Sequence, residues 1–228
     1  MPNKSANQFG DFPLEHTNPD TAAISILPVP YDGSSTWIKG ADKGPQAILD
    51  ASYNLEFYDI ETGSEVFRKG IFTEAAVDGF DTPEQMTDAV RGRVADMLGR
   101  DKFSVVLGGE HSVSIGAFEA MANRYDNLTI LQLDAHADLR DEYNGSRYNH
   151  ACVMARAKEH APIVQVGIRS MDTCEKATMD TDRVFFAYDI CQQPASEWFD
   201  RVVSLLTENV NVAIALLASS SSSINVTV

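Results

Sequence analysis

Three side chains that can bind metal ions occupy alternate positions in one short segment of the chain. Asp134, His136 and Asp138 directly follow the apolar run 128–133. Alternate residues of an extended segment project to the same side, so two carboxylates and one imidazole can converge where a strand opens into a loop. A further imidazole, His111, lies upstream in the sequence Gly-Gly-Glu-His-Ser. These four side chains together predict a metal site, although each one alone is more often a hydrogen-bonding or capping residue.

The chemistry of this ligand set points to a divalent metal ion. Two imidazoles and two carboxylates without a nearby thiolate suit manganese, iron, nickel or zinc, and manganese is our first choice. A carboxylate has two oxygens, so Asp134 could bridge two ions about 3.5 to 4 Å apart. Such a pair could hold and ionise one water between them, and the resulting hydroxide is a strong nucleophile at neutral pH.

The elements that must position these residues alternate between apolar, β-branched runs and helical patterns. Strands are predicted at 22–30, 71–77, 103–107, 128–133, 163–167, 184–187 and 210–218. Helices are predicted at 46–55, 83–99 with Thr82 as N-cap, 112–124, and after an N-cap at Ser196. This order predicts a three-layer α/β fold, with a mostly parallel central sheet and helices on both faces. Ligands of such sheets lie at the carboxyl ends of the strands, where His111 and the segment 134–138 both fall.

Length and charge narrow the class of protein. A chain of 228 residues suits one sizeable domain better than two small ones. The formal net charge of -15 disfavours nucleic acid and anionic membranes as partners and suits a metal or a small cationic molecule. The same acidity would also keep an ordinary protein soluble. Three cysteines without CxxC spacing, a polar N-terminus and no apolar run of about 20 residues predict a cytoplasmic protein.

Three motifs resemble the successive signatures of the ureohydrolases, the arginase and agmatinase family. They are Gly-Gly-Glu-His-Ser at 108–112, Asp-Ala-His-Ala-Asp at 134–138 and Asn-His-Ala at 149–151. The likeness extends upstream through 28–45 and 54–73, covers roughly residues 22–212, and is greatest to bacterial agmatinase-like members. It implies an arginase-like fold and a two-manganese hydrolase acting on a linear guanidino compound. Conversion of agmatine to putrescine and urea is the reaction we expect.

The resemblance also implies roles for individual residues. His111 and Asp138 would bind one manganese ion, His136 the other, and Asp134 both. His150 matches the family position that serves as acid, base or proton shuttle, and an imidazole pKa near 6.5 suits that role. Alternatively, His150 caps or packs the helix that follows.

The residues around these ligands bear on the choice of substrate. The resemblance implies that Glu110 and Ser112 support His111 and do not bind metal. The loop 139–149 is short and acidic, like that of agmatinase-like proteins, and is compatible with agmatine because agmatine has no carboxylate. Guanidinobutyrate, guanidinopropionate and formiminoglutamate stay open as substrates. The resemblance further implies a homo-oligomer.

The sequence departs from the family pattern towards its C-terminal end. The family takes its last two metal ligands from an Asp-x-Asp pair after a strand equivalent to 210–218, but this segment contains no acid and leads into five serines. Asp180 and Asp182 have that spacing but precede a strand, so they predict a turn. We therefore expect one ureohydrolase-like domain at 1–212, an atypical Ser-rich tail at 213–228, and a sheet lacking its last strand, between the third and the seventh. A frameshift or a truncated reading frame would produce such a tail.

Two other functions stay open at this point. The first is a truncated or divergent ureohydrolase-like protein with an impaired metal centre, acting as a non-catalytic binding or regulatory subunit. The second is a zinc-dependent deacetylase, which the Gly-Gly-Glu-His motif disfavours.

Overall fold

An eight-stranded, mostly parallel sheet forms the centre of the computed structural model, which describes residues 7–207, 211–218 and 224–227. The strands are β1 (Ile24–Val29), β2 (Ile71–Thr73), β3 (Phe103–Gly108), β4 (Leu128–Leu133), β5 (Ile163–Ile168), β6 (Val184–Phe186), β7 (Asn211–Ala218) and β8 (Ile224–Thr227). Their order in the sheet is β2-β1-β3-β8-β7-β4-β5-β6, and only the two pairings made by β8 are antiparallel.

Helices cover both faces of this sheet. They are α1 (Gly44–Ser52), α2 (Pro83–Gly99), α3 (Val113–Arg124), α4 (Val153–Lys158), α5 (Thr173–Lys176), α6 (Ala187–Gln192) and α7 (Ala195–Thr207). Alternation along β1 places Leu27 in a core with α2 and α3, and Ile26 in a core with α1. Likewise Ile130 of β4 joins the first core, whereas Leu131 packs with Val202 of α7. The predicted three-layer α/β fold is confirmed.

Helix α2 illustrates how the sequence specifies a boundary. The Thr82 hydroxyl accepts a hydrogen bond from the Gln85 amide at 3.2 Å, and the Gln85 side chain accepts one from the Asp81 amide at 2.9 Å. Pro83 occupies the first helical position, where a missing N–H costs nothing. The predicted N-cap and the predicted span 83–99 are both confirmed.

Other predicted boundaries differ from the structure. The prediction that Ser196 caps the last helix is wrong, because α7 already begins at Ala195 and the Glu197 amide donates to the Pro194 carbonyl. Strand β2 ends at Thr73 instead of continuing to residue 77. The short helices α4, α5 and α6 were not predicted. Among the described residues, no helix combines the length and apolarity needed to cross a membrane.

The middle of the sheet differs most from expectation. Val226 of β8 pairs antiparallel with Leu107 of β3 on one side and with Leu216 of β7 on the other. The prediction that the sheet lacks a strand between β3 and β7 is therefore wrong. The C-terminal segment supplies the strand in the reverse direction, which gives the backbone groups of both neighbours a partner. Strand β7 crosses the predicted boundary at residue 212 between the domain and the Ser-rich tail. Residues 219–223 of that tail lie outside the described residues. The division into domain and tail therefore stays a prediction.

Candidate metal centre and its cavity

The carboxyl ends of β3 and β4 place the predicted metal-binding residues at one edge of the sheet. His111 lies in the turn between β3 and α3, and the segment 134–138 directly follows β4. The turn after β3 approaches the chain after β1 so closely that a Cβ on Gly109 would lie 2.1 Å from the Tyr31 carbonyl oxygen. Only glycine fits there, so this residue is required to bring His111 into position.

Three of the four predicted ligands form one buried cluster. The His111 Nδ1 atom lies 2.7 Å from Asp138 Oδ2 and 3.6 Å from Asp134 Oδ2. One potential ligand atom from each of the three residues lies within 4.8 Å of the others. One imidazole and two carboxylates at this separation could hold a divalent ion that prefers nitrogen and oxygen donors.

The backbone after β4 adopts a left-handed conformation at Asp138, and hydrogen bonds to its carbonyl oxygen hold it there. This residue has a positive φ of 51°, a left-handed conformation that aspartate adopts more readily than most residues. Its carbonyl oxygen accepts hydrogen bonds from the Met154 and Ala155 amides at 2.9 and 3.3 Å. The first turn of α4 therefore holds the loop in the conformation that presents the Asp138 carboxylate to His111.

Two buried glutamines, which the sequence analysis missed, support Asp134. Gln132 Nε2 donates to Asp134 Oδ2 at 3.0 Å and to the His136 carbonyl at 3.1 Å. Gln165 Nε2 donates to Gln132 Oε1 at 2.6 Å and to the Ala137 carbonyl at 2.8 Å. The two glutamines pair in register across β4 and β5. Their occurrence in two mainly apolar strands was the signal that could have revealed them.

His136 is separate from the buried cluster. Its side chain is 50% exposed, and its Nδ1 atom lies 3.3 Å from Asp134 Oδ1. Its backbone amide donates to the same carboxylate oxygen at 2.9 Å. The two oxygens of Asp134 thus face different partners, with Oδ2 towards His111 and Oδ1 towards His136.

Electrostatic coupling joins these groups. Burial lowers the pKa of His111, but the hydrogen bond with Asp138 and the charges of Asp138, Asp134 and Glu110 together outweigh burial and raise it overall. The hydrogen bond that His136 donates to the Asp134 carboxylate raises the pKa of His136 in the same way. Burial would raise the pKa of Asp134, but His136 and His111 lower it. The carboxylates therefore stabilise positive charge at this point, and a bound divalent ion would replace the imidazole protons.

The cluster opens into a cavity of about 500 Å³. The loop after β1, the loop after β4 and the segment before α5 contribute to its wall. Four carboxylate side chains line it, those of Glu110, Asp138, Asp172 and Glu175, against one guanidinium, that of Arg140. Arg140 pairs with Asp172 at 3.2 Å and with Glu175 at 3.9 Å, so the charged side chains of the lining carry an excess of negative charge.

His150 lies in the wall of this cavity. Its ring makes an edge contact with Tyr143, and both its backbone amide and its Nδ1 atom contact Ser34 Oγ, at 2.8 and 3.2 Å. His150 begins a single 3-10 turn, His150–Cys152, which the Asn149 side chain caps by accepting from the Ala151 amide. The N-cap of α4 is Cys152, so the alternative that His150 caps the following helix is wrong, and the alternative that it packs against that helix stays open. The structure thus brings His150 into the same cavity as His111 and Asp138, and its role stays a prediction.

Two further expectations concern neighbouring acids. Glu110 is bonded to Ser112, whose hydroxyl and amide both donate to its carboxylate, at 2.6 and 3.0 Å.

Asp180 caps a single 3-10 turn by accepting from the Asp182 amide at 3.1 Å, so the predicted turn is confirmed. In the sequence no acidic residue follows Glu208, so β7 is not followed by the Asp-x-Asp pair of the family pattern.

The chain is similar to known proteins in both sequence and structure. The family model described as the arginase family matches residues 22–216. N(1)-aminopropylagmatine ureohydrolase of Synechocystis sp. is 35% identical over 197 residues, which cover 82% of this chain and 63% of the relative. The protein of the same name from Thermus thermophilus is 39% identical over 155 residues, covering 67% and 53%. The chain thus spans 53% to 63% of the length of these curated relatives.

One solved structure extends the likeness to three dimensions. The agmatine ureohydrolase of Thermoplasma volcanium superposes with a TM-score of 0.76 at 27% identity, covering 86% of this chain and 67% of that one.

Proposed function

This chain belongs to the arginase family, and from that membership we propose that it hydrolyses a linear guanidino compound to urea and an amine. The observation that carries the proposal is the buried cluster of His111, Asp134 and Asp138, which opens into an acidic cavity also lined by His150. A metal site, a proton-transfer group and a cation-selective cavity are the parts that such a reaction needs.

The three buried residues are the proposed ligands of a manganese ion. Their nitrogen and oxygen donors fit a divalent ion of intermediate hardness, and no thiolate competes. When bound, the ion supplies Lewis-acid activation of the water that attacks the guanidinium carbon. His136 and Asp134 Oδ1 are the proposed start of a second, weaker position, because the half-exposed imidazole lies outside the buried cluster.

The proposed role of His150 is proton transfer to the departing amine. An amine leaves the guanidinium carbon only when it is protonated, so a group that can donate a proton must lie close by. His150 lies in the cavity wall, on the loop that follows the metal-binding segment. This places it on the same side of the sheet as the cluster.

The proposed substrate carries a second positive charge. Carboxylates dominate the charged lining of the cavity, so a substrate with an amine tail is favoured over arginine, whose tail bears a carboxylate. Agmatine, cleaved to putrescine and urea, has such a tail. N1-aminopropylagmatine, named in both curated relatives above, has a longer one of the same charge type.

Urea release after manganese loading tests the proposal. We expect urea from agmatine or N1-aminopropylagmatine and much less from arginine. Asp138→Asn should abolish release, whereas Asp126→Asn, the same change in an exposed residue at the other end of β4, should leave it unchanged. Equal activity of the two variants, or no urea from any substrate, would contradict the proposed activity.

A non-catalytic, ureohydrolase-like subunit is the second candidate function. The observation that favours it is the acid-free sequence after Glu208, which leaves one buried three-residue cluster among the described residues. This candidate predicts at most one bound manganese per chain and no urea. The first predicts urea release, so metal stoichiometry measured together with turnover separates them.

The proposed setting is the cytoplasm, with the chain assembled as a homo-oligomer. Its three cysteines are free, with Cys174 and Cys191 exposed, which suits a reducing compartment. Sedimentation of the purified protein tests the assembly.

A further inference from the structure

We propose that Ser34 is a positioning residue that fixes the tautomer of His150, so that Nδ1 carries the ring hydrogen and Nε2 exchanges protons with the substrate. The catalytic use of this tautomer rests on the function proposed above, whereas the tautomer itself does not. Ser34 lies on the loop after β1, and His150 lies 116 residues later on the loop after β4. Their contact therefore joins two loops that line one cavity.

The argument begins at the buried carboxylate of Glu110, which is 2% exposed. Its Oε1 atom accepts hydrogen bonds from Ser34 Oγ at 2.9 Å and from Ser112 Oγ at 2.6 Å, and its Oε2 atom accepts from the Ser112 amide at 3.0 Å. A carboxylate accepts hydrogen bonds and has none to donate. The hydrogen in the contact between Ser34 and Glu110 therefore comes from the serine.

A serine hydroxyl has only one hydrogen and two acceptor lone pairs. Because Ser34 gives its hydrogen to Glu110, its oxygen can only accept in its other contacts. Those contacts are with the His150 backbone amide at 2.8 Å and with His150 Nδ1 at 3.2 Å. The amide fills one lone pair, so Nδ1 must donate to the other.

The consequence falls on the second ring nitrogen. A neutral imidazole carries one N–H, so a hydrogen on Nδ1 leaves the lone pair on Nε2. His150 lines the cavity, and Nε2 is then the atom that accepts a proton and later gives it to the leaving amine. Removal of Ser34 would remove the hydroxyl that donates to Glu110 and accepts from Nδ1, and with it the contact that keeps the hydrogen on Nδ1.

Long-range proton–nitrogen NMR of the full chain labelled with 15N-histidine tests the tautomer directly. Mg²⁺ replaces paramagnetic Mn²⁺, and His150→Gln identifies the signals. We expect a protonated Nδ1 and an unprotonated Nε2 in the wild type and in Ser34→Thr, which keeps the hydroxyl. Ser34→Ala should lose this pattern. Ser35→Ala, which removes a neighbouring hydroxyl bonded to Asp32, should keep it. A wild-type spectrum with the hydrogen on Nε2, or an unchanged pattern in Ser34→Ala, overturns the proposal.

Kinetics test the consequence for the reaction. General acid–base groups contribute roughly 100- to 10,000-fold to rates, so we expect Ser34→Ala to lower kcat by about 10- to 100-fold with KM within about twofold. Ser34→Thr should restore kcat, because a purely steric role of the serine would not be rescued by a larger hydroxyl residue. If the wild type releases no urea while the NMR pattern is as expected, the proposed function fails and the tautomer assignment stands. If Ser34→Ala keeps full kcat, the positioning role fails.

Discussion

The ends of β4 and β7 differ sharply in chemistry although the two strands are parallel neighbours, with Leu133 opposite Leu216. Asp134, His136 and Asp138 follow β4, whereas no acidic residue occurs in β7 or after it. Parallel pairing brings both strand ends to the edge where ligands bind. The sheet therefore provides two equivalent positions, and the residues that follow each strand decide which becomes a site.

The two regions also differ in what supports them. On the β4 side, the buried amides of Gln132 and Gln165 hold the metal-binding loop through side-chain hydrogen bonds. On the β7 side, the antiparallel strand β8 provides backbone pairing to both neighbours. Changes to the first region should alter metal affinity, and changes to the second should alter the stability of the fold.

Removing a ligand charge should have the largest effect. Asp134→Asn replaces the carboxylate that faces both His111 and His136 with a neutral amide. Residues behind the ligands typically contribute 10- to 100-fold to affinity, so a ligand should contribute more. We expect manganese affinity to fall by at least about 1,000-fold, which is about 4 kcal/mol. Isothermal titration calorimetry measures this, and a Kd within tenfold of the wild type would contradict the assignment of Asp134.

Breaking the β8 pairing should have the next largest effect, on stability instead of affinity. Val226→Pro removes a backbone N–H from a strand that is paired on both sides, and the ring does not fit a central ladder. We expect a loss of about 3 kcal/mol in the free energy of unfolding, measured by chemical denaturation. Ala195→Pro, at the first position of α7, is the matched control and should be nearly neutral. Equal stability of the two proline variants would show that β8 does not support the sheet.

The sequence predicted those elements whose signal lies within one short segment of the chain. The apolar period of α2, with Met86, Val90 and Val94 all buried, and the alternation after β4 are both local signals. The position of strand β8 could not be predicted, because it depends on pairing with β3, more than a hundred residues away in the sequence, as well as with the preceding strand β7. The pairing of Gln165 with Gln132 is likewise a contact between strands, whereas the bond from Gln132 to Asp134 is local, and the polar residue in β4 was the signal for it.

Removing the hydrogen bonds donated by Gln165 should have an effect of intermediate size. It should lower both stability and manganese affinity, which distinguishes the region after β4 from the region around β8. Gln165→Leu leaves Gln132 Oε1 and the Ala137 carbonyl without this donor in the interior. An unsatisfied buried group costs about 1–3 kcal/mol, so we expect a stability loss of about 2 kcal/mol. We also expect a 10- to 100-fold weaker affinity for manganese, about the range seen for residues that orient ligands.

An exposed glutamine provides the control for this substitution. Gln46→Leu on α1 removes an amide that bonds Asp50 at the surface. It should change neither the free energy of unfolding by more than about 0.5 kcal/mol nor the manganese affinity. If Gln165→Leu changed the free energy of unfolding and the manganese affinity as little as Gln46→Leu does, the metal-binding loop after β4 would not depend on the hydrogen bonds of the buried glutamines.

Removing the N-cap of α2 should have the smallest effect and decides whether affinity merely follows stability. Thr82→Ala leaves the Gln85 amide without its hydroxyl acceptor, which costs about 1 kcal/mol, and Thr82→Ser should recover most of that loss. Because α2 lies outside the metal-binding loop, manganese affinity measured by calorimetry should stay at the wild-type value in both variants. A fall in affinity that scales with lost stability across Thr82→Ala, Val226→Pro and Gln165→Leu would mean that the fold as a whole sets metal binding. An affinity loss confined to Gln165→Leu would mean that the buried amides act on Asp134 directly, independently of how strongly the rest of the sheet is held together.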